Sequence, residues 1–276
     1  MARTTAISLL SGESTPASLA EIYGLVIENV QKRALSTALK SQQYTGNPAA
    51  GSVEFKRFVN SESKEYGTAR AAAKGDQVMA PDIPVNLDQH KEIVEEVAKF
   101  DIDTFGVPSL MQRRADNHVL SMAATLDRDF FKVTAEGGTK FTPEATEIQK
   151  IAEELIQEVE TTHNDYVDGV DRSQIALVLS PAKYGDIRTF LDTQSNPNVD
   201  TAGEEFGMYH GVRVYSCTRL PSGTNGIAMV MGATAQPVVS DQYGNPEKIP
   251  LSNDYAVSLF YDYGTKVLTP DLVQVW

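Results

Sequence analysis

Residue types that commonly carry catalysis or bind metals are present in this sequence, but their spacing does not bring them together. None of the four histidines, His90, His118, His163 and His210, follows another at the four-residue spacing of a zinc-binding helix. The lone cysteine, Cys217, lies in a strand-like stretch, which favours a small buried side chain over a nucleophile. The sequence therefore predicts no metal ion and no organic cofactor, and it places His118 at a surface or an interface.

Acidic residues form two clusters that could suggest chemistry. Asp165, Asp168 and Asp171 lack the alternating ligands and the closing glutamate of a calcium-binding loop, so we interpret them as a solvated turn after a helix. Asp101 and Asp103 could act as an acid and base pair, but two residues in a strand share a face merely by its period of two. Neither a G-x-S-x-G nor a G-x-G-x-x-G sequence is present. No catalytic arrangement is predicted.

The overall charge narrows the class of binding partner. The 276 residues include 37 acidic and 24 basic side chains, which gives a formal net charge of -13. An acidic chain repels phosphate, so the charge disfavours a general nucleic-acid-binding protein, whereas a surface that lies near DNA without binding it would suit this charge. The same acidity also keeps a protein soluble. A single cysteine fits a reducing compartment, and no apolar run is long enough to cross a membrane.

Two predicted helices carry apolar side chains at helical spacing. The first spans about 17–38, and because it has no local partner its apolar face must pack on its own body or on a neighbouring subunit. The second, which we call the spine helix, spans about 109–132, and Ser109 and Gln112 form a capping box at its start. The apolar stripe of the spine helix consists of Met111, Ala115, Val119, Met122, Leu126 and Phe130.

Between these helices, two strand patterns flank a long polar segment. Residues 52–58 alternate in polarity, and alternation resumes at 83–87. The intervening residues, 60–80, are rich in small and charged side chains, and loops of this length are usually functional or disordered. A two-stranded hairpin is marginally stable alone in water. We therefore expect this loop to lie on another surface.

A mixed body of helices and strands is predicted after the spine helix. One helix begins at Thr142 and Pro143, as N-cap and first helical residue, and another follows Pro181. Predicted strands occupy 175–179, 211–217 and 226–232.

The end of the chain is predicted to form a closing hairpin. An alternating strand runs to Tyr263, Gly264 turns the chain, and apolar residues from Val267 to Val275 form the return strand. The spine helix and this hairpin are expected to pack together, which makes residues 145–250 an insertion. Residues 89–99 fit either a helix or a strand.

The order of these elements, together with several local phrases, resembles the major capsid protein family of tailed bacteriophages, whose fold is often called the Hong Kong phage capsid fold. The resemblance is diffuse, because it rests on many weak features in sequence order. It covers nearly the whole chain, and the matching stretches are 52–87, 109–132, 176–184, 208–215, 219–221 and 263–273.

This resemblance implies a specific α+β organisation. It predicts an N-terminal arm at 1–50, an extended hairpin loop at 51–88 that lies across a neighbour, and a peripheral domain made of 89–142 and 251–276. An inserted mixed α/β axial domain at 143–250 would meet its copies at five-fold and six-fold axes. Many copies would form homo-pentamers and homo-hexamers through heterologous interfaces and close an icosahedral shell around double-stranded DNA.

The resemblance also implies partners and interface residues. No long leader precedes the arm, so either a separate scaffolding protein assists assembly or the sequence is already mature, and the initial methionine favours the scaffolding protein. A portal would complete the shell. The shell would be part of the virion, would be assembled in the bacterial cytoplasm, and would bind neither membrane nor specific DNA sequence. The predicted intersubunit interface residues are Lys64, Arg70, Lys74, Tyr66, Arg113 and Arg114. Isopeptide cross-linking, known in some relatives, is left unassigned.

Two other interpretations stay open at this point. An encapsulin, the shell protein of a bacterial cargo compartment, has the same fold, and its gene lies beside a cargo enzyme rather than beside portal genes. An α/β hydrolase-like enzyme with unrecognised carboxylates would instead be a monomer or small oligomer with a defined cleft.

Overall fold

The computed structural model describes residues 34–43, 51–61, 63–67, 77–97, 108–193, 208–240 and 247–276. The α-helices in this part of the chain are α1 (Leu35–Leu39), α2 (Pro108–Gly137), α3 (Ile148–Glu160) and α4 (Pro181–Thr193). Short 3-10 helices occupy Arg172–Gln174 and Pro270–Leu272. The strands are β1 (Ser52–Lys56), β2 (Asp82–Asn86), β3 (Gln89–Val97), β4 (Thr139–Lys140), β5 (His163–Asn164), β6 (Val167–Asp168), β7 (Ile175–Leu179), β8 (Met208–Tyr209), β9 (Val212–Ser216), β10 (Gly226–Val230), β11 (Thr234–Ala235), β12 (Val238–Ser240), β13 (Glu247–Lys248), β14 (Tyr255–Tyr263), β15 (Lys266–Val267) and β16 (Val273–Val275).

The chain forms two compact units. The first comprises the described residues within Met1–Ala38, Asn86–Phe130 and Gln236–Gly264, and the second comprises those within Leu39–Val85, Phe131–Ala235 and Thr265–Trp276. Residues 265–276 belong to the second unit. The limits of the peripheral and axial domains stay a prediction.

A six-stranded sheet forms the centre of the second unit. Its strand order is β4-β16-β10-β7-β9-β8. Strand β10 runs antiparallel to both of its neighbours, so that Ile227 lies between Val178 and Val275. All five residues of β7 are buried, as the short apolar run at 175–179 predicts for a central strand.

Helices α3 and α4 contribute to the apolar core around this sheet. The buried side chains of α3 recur at intervals of one, three and four residues, which places them on one face of the helix. Ile187 of α4 is fully buried in the same cluster, and Cys217 is buried as the sequence predicts. The α3 residues in this core are Ile151, Ala152, Leu155, Ile156 and Val159.

The start of α3 differs from the sequence prediction. The helix begins at Ile148 and not at Thr142 and Pro143. The side-chain carboxylate of Glu154 accepts hydrogen bonds from the backbone N–H groups of Glu144 and Ala145 at 3.1 and 3.2 Å. Because the helix itself supplies these acceptors, the preceding residues are held outside it, and the N-cap prediction was wrong.

An ionic cluster links α3 to the 3-10 helix before β7 and to the turn between β8 and β9. Arg172 donates to the carboxylates of Glu153 at 2.6 Å and Glu160 at 2.9 Å, and His210 Nδ1 lies 2.9 Å from Glu153. His210 also stacks on the ring of Tyr209 and has a φ of 47°, in the tight turn between β8 and β9. The hydrogen bond from Arg172 outweighs partial burial and lowers the pKa of Glu153 to about 2.

Glu153 is therefore expected to make the subunit sensitive to acid. A carboxylate whose pKa is lower in the folded than in the unfolded protein stabilises the fold above the unfolded pKa and loses this contribution as the pH falls toward the folded pKa. We expect Glu153→Gln to lower the free energy of unfolding by about 1–2 kcal/mol at pH 7, after discounting for solvent screening. The difference from wild type should shrink between pH 4.5 and pH 2, as measured by urea unfolding of isolated subunits.

The control for this experiment is Glu158→Gln, on the exposed side of the same helix. It removes a carboxylate that no ion pair described here uses. If both variants were equally stable at pH 7, the assignment of a stabilising role to the Arg172 cluster would be wrong.

The first unit contains a sheet built on the long strand β14. Strand β3 pairs antiparallel with β14 over nine residues, from Tyr255 with Val97 to Tyr263 with Gln89. On its other side, β14 pairs with β12 and β13. Residues 89–97 are thus a strand, which decides between the two predictions for this stretch.

The predicted closing hairpin was wrong. Strand β14 does not pair with the residues that follow it; β15 pairs with β11, and β16 lies between β10 and β4. The 3-10 helix Pro270–Leu272 separates β15 from β16, so that the last residues enter the six-stranded sheet. Alternating polarity identified a strand correctly but carried no information about its partner.

The spine helix is confirmed as α2 and is longer than predicted. Met122, Leu126 and Phe130 of its apolar stripe are buried, whereas the side chains of Met111, Ala115 and Val119 lie outside the described residues. The Asp127 carboxylate accepts hydrogen bonds from the backbone N–H groups at the start of α1, including that of Ser36 at 2.9 Å. The rest of the predicted helix at 17–38 lies outside the described residues.

The prediction of a surface position for His118 was wrong. Its side chain is buried, and Nε2 lies 2.9 Å from the carboxylate of Glu95 on β3. Position 118 lies four residues before Met122, so it continues the buried face of α2. A buried polar ring needs a polar partner, and β3 supplies it.

Candidate subunit interface

Backbone hydrogen bonds join the two ends of the long loop between β1 and β2. The backbone N–H of Arg57 donates to the carbonyl of Pro81 at 3.4 Å, and that of Val59 donates to the carbonyl of Met79 at 3.0 Å. We refer to residues 57–81 as the interface loop. The predicted strands at 52–58 and 83–87 are confirmed as β1 and β2.

The base of the interface loop is anchored in a small apolar cluster of the second unit. Val53, Phe55 and Val85 are buried there together with Ala235 of β11. Ile83 and Leu268 pack against the same cluster. Burial of these side chains fixes the two strands, as a lone hairpin requires.

Beyond its base, the interface loop exposes large apolar side chains. Tyr66 is 91% exposed, Val78 81%, Met79 65% and Phe58 60%. Lys64 is exposed as well. Scattered single apolar residues on a surface are normal, but four in one loop indicate a contact surface for another molecule.

A polar clasp ties the interface loop to two distant segments. The guanidinium of Arg57 donates two hydrogen bonds to the carboxylate of Asp271, at 2.9 and 2.7 Å, and lies 4.3 Å from the ring centre of Tyr166. Asn164 Nδ2 donates to the same carboxylate at 2.7 Å, and the N–H of Asn60 donates to the carbonyl of Asp165 at 2.9 Å. We call Arg57, Asn164, Tyr166 and Asp271 the loop clasp.

The protonation of Asp271 reflects this geometry. Partial burial opposes its negative charge, but the hydrogen bonds from Arg57 and Asn164 outweigh this effect and hold the pKa of Asp271 below its ordinary value. The clasp therefore remains an ion pair at neutral pH.

A groove of about 850 Å³ runs between the interface loop and the β5–β6 hairpin. The loop contributes mixed side chains, among them Val59, Lys64 and Val78, and the hairpin contributes His163, Asp165 and Asp168. His163 Nδ1 lies 2.9 Å from the Asp168 carboxylate, which is consistent with the predicted solvated turn. Within the described part of the chain, no three metal-ligating side chains converge.

A second exposed patch lies on one face of the β3–β14 sheet in the first unit. Val94 is 53% exposed and Phe260 is 44% exposed, and Phe260 pairs with Glu92 across the strands. Glu96 is exposed on the same strand as Val94, two residues on. This face is apolar at its centre and acidic around it.

The structure places only some of the predicted interface residues. Lys64 and Tyr66 lie exposed on the interface loop. Arg70 and Lys74 lie outside the described residues, and Arg113 and Arg114 lie in α2 with side chains outside the described residues. The interface role of all six stays a prediction.

Sequence reasoning missed the clasp and part of the exposed patch. Arg57 and Asp271 are separated by 214 positions, and no pattern in either stretch links them. Phe58, Val78 and Met79 did carry a signal, because large apolar residues interrupt an otherwise polar segment. Among the described residues, no helix has the length and apolar character needed to cross a bilayer.

Comparison with solved structures defines the class of this fold. The structure is similar to a protein of Mycobacterium phage Che8 (17% identity, TM-score 0.61), with 86% of this chain and 93% of that chain covered. It is also similar to the capsid of cyanophage P-SCSP1u (13%, TM-score 0.62, 88% and 87% covered) and to a virus-like particle from Pyrococcus furiosus (12%, TM-score 0.55, 92% and 97% covered). The fold is that of phage capsid subunits, which confirms the predicted α+β capsid fold.

A family model described as "Phage capsid protein" matches residues 92–275. The chain belongs to this phage capsid protein family. A search of curated proteins by sequence found no match. Family membership indicates a structural protein of a phage shell, located in the capsid of the virion.

Proposed function

We propose that this protein is the major capsid protein of a tailed phage. Many copies assemble in the bacterial cytoplasm into pentamers and hexamers, which close an icosahedral shell around double-stranded DNA. A separate scaffolding protein guides assembly, and a portal occupies one position of the shell. The observation that carries this proposal is the interface loop, which is fixed at its base but exposes four large apolar side chains.

The exposure of the interface loop supports assembly because these apolar side chains are largely unburied in the isolated subunit. Burying one large apolar side chain contributes about 1.5–3 kcal/mol, and this gain requires another molecule. In a closed ring the same contact recurs in every subunit, so modest contributions act together. The contact between subunits is heterologous, with the loop of one copy on a different surface of the next.

Charge complementarity suggests the receiving surface. In the interface loop, Lys64, Arg70 and Lys74 are interspersed with Glu62, Glu65 and Asp76, so the complementarity lies in these individual basic side chains and not in a net charge of the loop. The β3–β14 face carries Glu92 and Glu96 beside its exposed apolar centre. Opposite charges favour the correct orientation of two partners more than they add affinity. We place the loop of one copy on this face of another copy.

The proposed parts of the subunit follow from the same assignment. Residues 1–50 serve as an N-terminal arm and 51–88 as the extended loop. Residues 89–142 with 251–276 form the peripheral domain, and 143–250 form the axial domain, whose loops meet at the symmetry axes. The net charge of -13 keeps the wall from adhering to the packaged DNA.

Assembly of the purified protein tests this function. Alone or with its scaffolding protein, it is expected to form pentamers, hexamers or closed shells, detected by sedimentation velocity and electron microscopy. Particles isolated from infected cells should contain double-stranded DNA, whereas the shell of a cargo compartment would contain an enzyme. A protein that stays strictly monomeric under assembly conditions, with the scaffolding protein present, would contradict the proposal.

Charge-reversal variants in the same assembly experiment test the β3–β14 face as the receiving surface. Reversing the charges of Lys64, Arg70 and Lys74 together should reduce assembly most at low salt, because exposed charge pairs are screened as the ionic strength rises. Reversal of Glu92 and Glu96 in the same chain should restore part of the yield. An effect independent of salt would argue against the β3–β14 face.

A further inference from the structure

The loop clasp joins three segments that are far apart in sequence. Arg57 begins the interface loop, Asn164 and Tyr166 belong to the β5–β6 hairpin, and Asp271 lies in the 3-10 helix before β16. All four residues belong to the second unit, so the clasp is internal to one compact body.

The chemistry of the clasp is directional. A guanidinium that donates two parallel hydrogen bonds to one carboxylate fixes the plane as well as the distance of the pair. The ring of Tyr166 on the guanidinium and the amide of Asn164 on the carboxylate fix both partners from a second side. A lysine or a single hydrogen bond would hold the loop near the body without fixing its direction.

The direction in which the interface loop leaves the subunit affects the angle between neighbouring subunits in a ring. A five-membered ring needs a rotation of about 72° between neighbours and a six-membered ring about 60°, so the two differ by only about 12°. An extended chain advances about 3.3 Å per residue, so the six residues after Asn60, whose backbone is held at the base of the loop, can place Tyr66 roughly 20 Å from that base. A tilt of about 10° at the base would then move the loop tip by about 3–4 Å, as much as a van der Waals contact distance.

We propose that the loop clasp sets the direction in which the interface loop leaves the subunit, and thereby the curvature of the shell. Arg57, Asn164 and Asp271 are positioning residues in this role. The effect on shell curvature rests on the proposed function. The fixed direction of the loop does not, because it is a property of the isolated subunit. The two steps are measured separately.

The first measurement is hydrogen exchange in the isolated subunit. In Arg57→Gln, the Val59 amide, which donates to Met79, should exchange about tenfold faster than in wild type, because the base of the loop opens more often. Arg57→Lys should give an intermediate rate, since it keeps the charge but not the paired hydrogen bonds. Lys56→Gln is the matched control, because the ion pair of Lys56 with Asp82, at 3.4 Å, is exposed to solvent.

The second measurement is the diameter distribution of assembled particles. Arg57→Gln and Asp271→Asn should still assemble, but into particles of several diameters and open sheets, while Lys56→Gln should give the wild-type distribution. If Arg57→Gln is insoluble, the particle diameters of Arg57→Lys are measured in its place.

The outcomes separate the clasp from the assembly itself. If wild type does not assemble, the proposed function fails, and unchanged exchange at Val59 in Arg57→Gln would overturn the clasp independently. If exchange accelerates but the particles keep the wild-type diameter, the clasp does not control curvature. Lys56→Gln could also change the exchange rate and the particle diameters as much as Arg57→Gln does. That result would overturn the inference, because loss of any positive charge near the loop would then explain both changes.

Discussion

Replacing residues 61–78 with a short Gly-Ser turn is expected to yield soluble, cooperatively folded subunits that build no normal shells. The replacement keeps Asn60 and Met79, so the hydrogen bond between Val59 and Met79 and the clasp at Arg57 remain. It removes Tyr66, Val78 and Lys64, which contribute little to the fold because they are exposed.

The expected loss is close to complete because the contact is repeated. Each large apolar side chain that a neighbour would bury contributes about 1.5–3 kcal/mol, and every interface of every ring would lose at least two. Stability of the subunit should change by less than about 0.5 kcal/mol, as surface changes usually do. Urea unfolding measures the subunit, and sedimentation velocity with electron microscopy measures the shells.

Point variants make this test specific to the loop. Tyr66→Ser should reduce assembly strongly, whereas Leu251→Ser, which removes a fully exposed apolar side chain outside the loop, serves as its matched control. A shortened protein that assembles as well as wild type would remove the interface loop from the mechanism. Equal losses in Tyr66→Ser and Leu251→Ser would show that the effect is not specific to the loop.

Local pattern was enough to predict the elements that carry the candidate site. The apolar run at 175–179 is the fully buried β7, and the alternation at 52–58 and 83–87 marks β1 and β2. In each case the signal is local, because burial of one face or of both faces of a single element dictates which of its residues are apolar.

Pairing partners and long-range contacts were not predictable in this way. The strand β14 was recognised, but its neighbours β3 and β12 are chosen by tertiary packing, so the closing hairpin was wrong. His118 was placed at a surface or an interface because it lies off the apolar stripe of the spine helix, yet Glu95 on β3 makes its burial tolerable. The clasp between Arg57 and Asp271 depends on the whole fold of the second unit.

Gly264 shows how tertiary structure gives a residue a requirement that differs from its sequence signal. The sequence predicts a turn at Gly264, but the close approach of another backbone is what demands glycine. Gly264 follows β14 and donates its N–H to the carbonyl of Pro237 at 3.3 Å. A Cβ at this position would overlap the backbone carbonyl of Asn86 and crowd the Cα of Leu87.

We therefore expect Gly264→Ala to destabilise the subunit by about 3 kcal/mol or more, at the upper end of the cost of overpacking. Backbone atoms cannot rotate away as a flexible side chain can, so either the end of β14 or the segment at 86–87 must shift. That shift would strain the adjoining pairs of Tyr263 with Gln89 and with Val238. Urea unfolding of the isolated subunit, together with the soluble yield, measures the effect.

Gly185→Ala is the matched control for this substitution. Gly185 lies inside α4, and a Cβ there would meet no atom within 4 Å. The same chemical change should stabilise the subunit by about 0.5–1 kcal/mol, because alanine favours a helix over glycine. The two variants differ only in what surrounds the added methyl group. Opposite signs of the change in the free energy of unfolding would therefore assign the cost at Gly264 to the Asn86 backbone. If Gly264→Ala unfolded within about 0.5 kcal/mol of wild type, the close packing of Gly264 against residues 86–87 would be wrong.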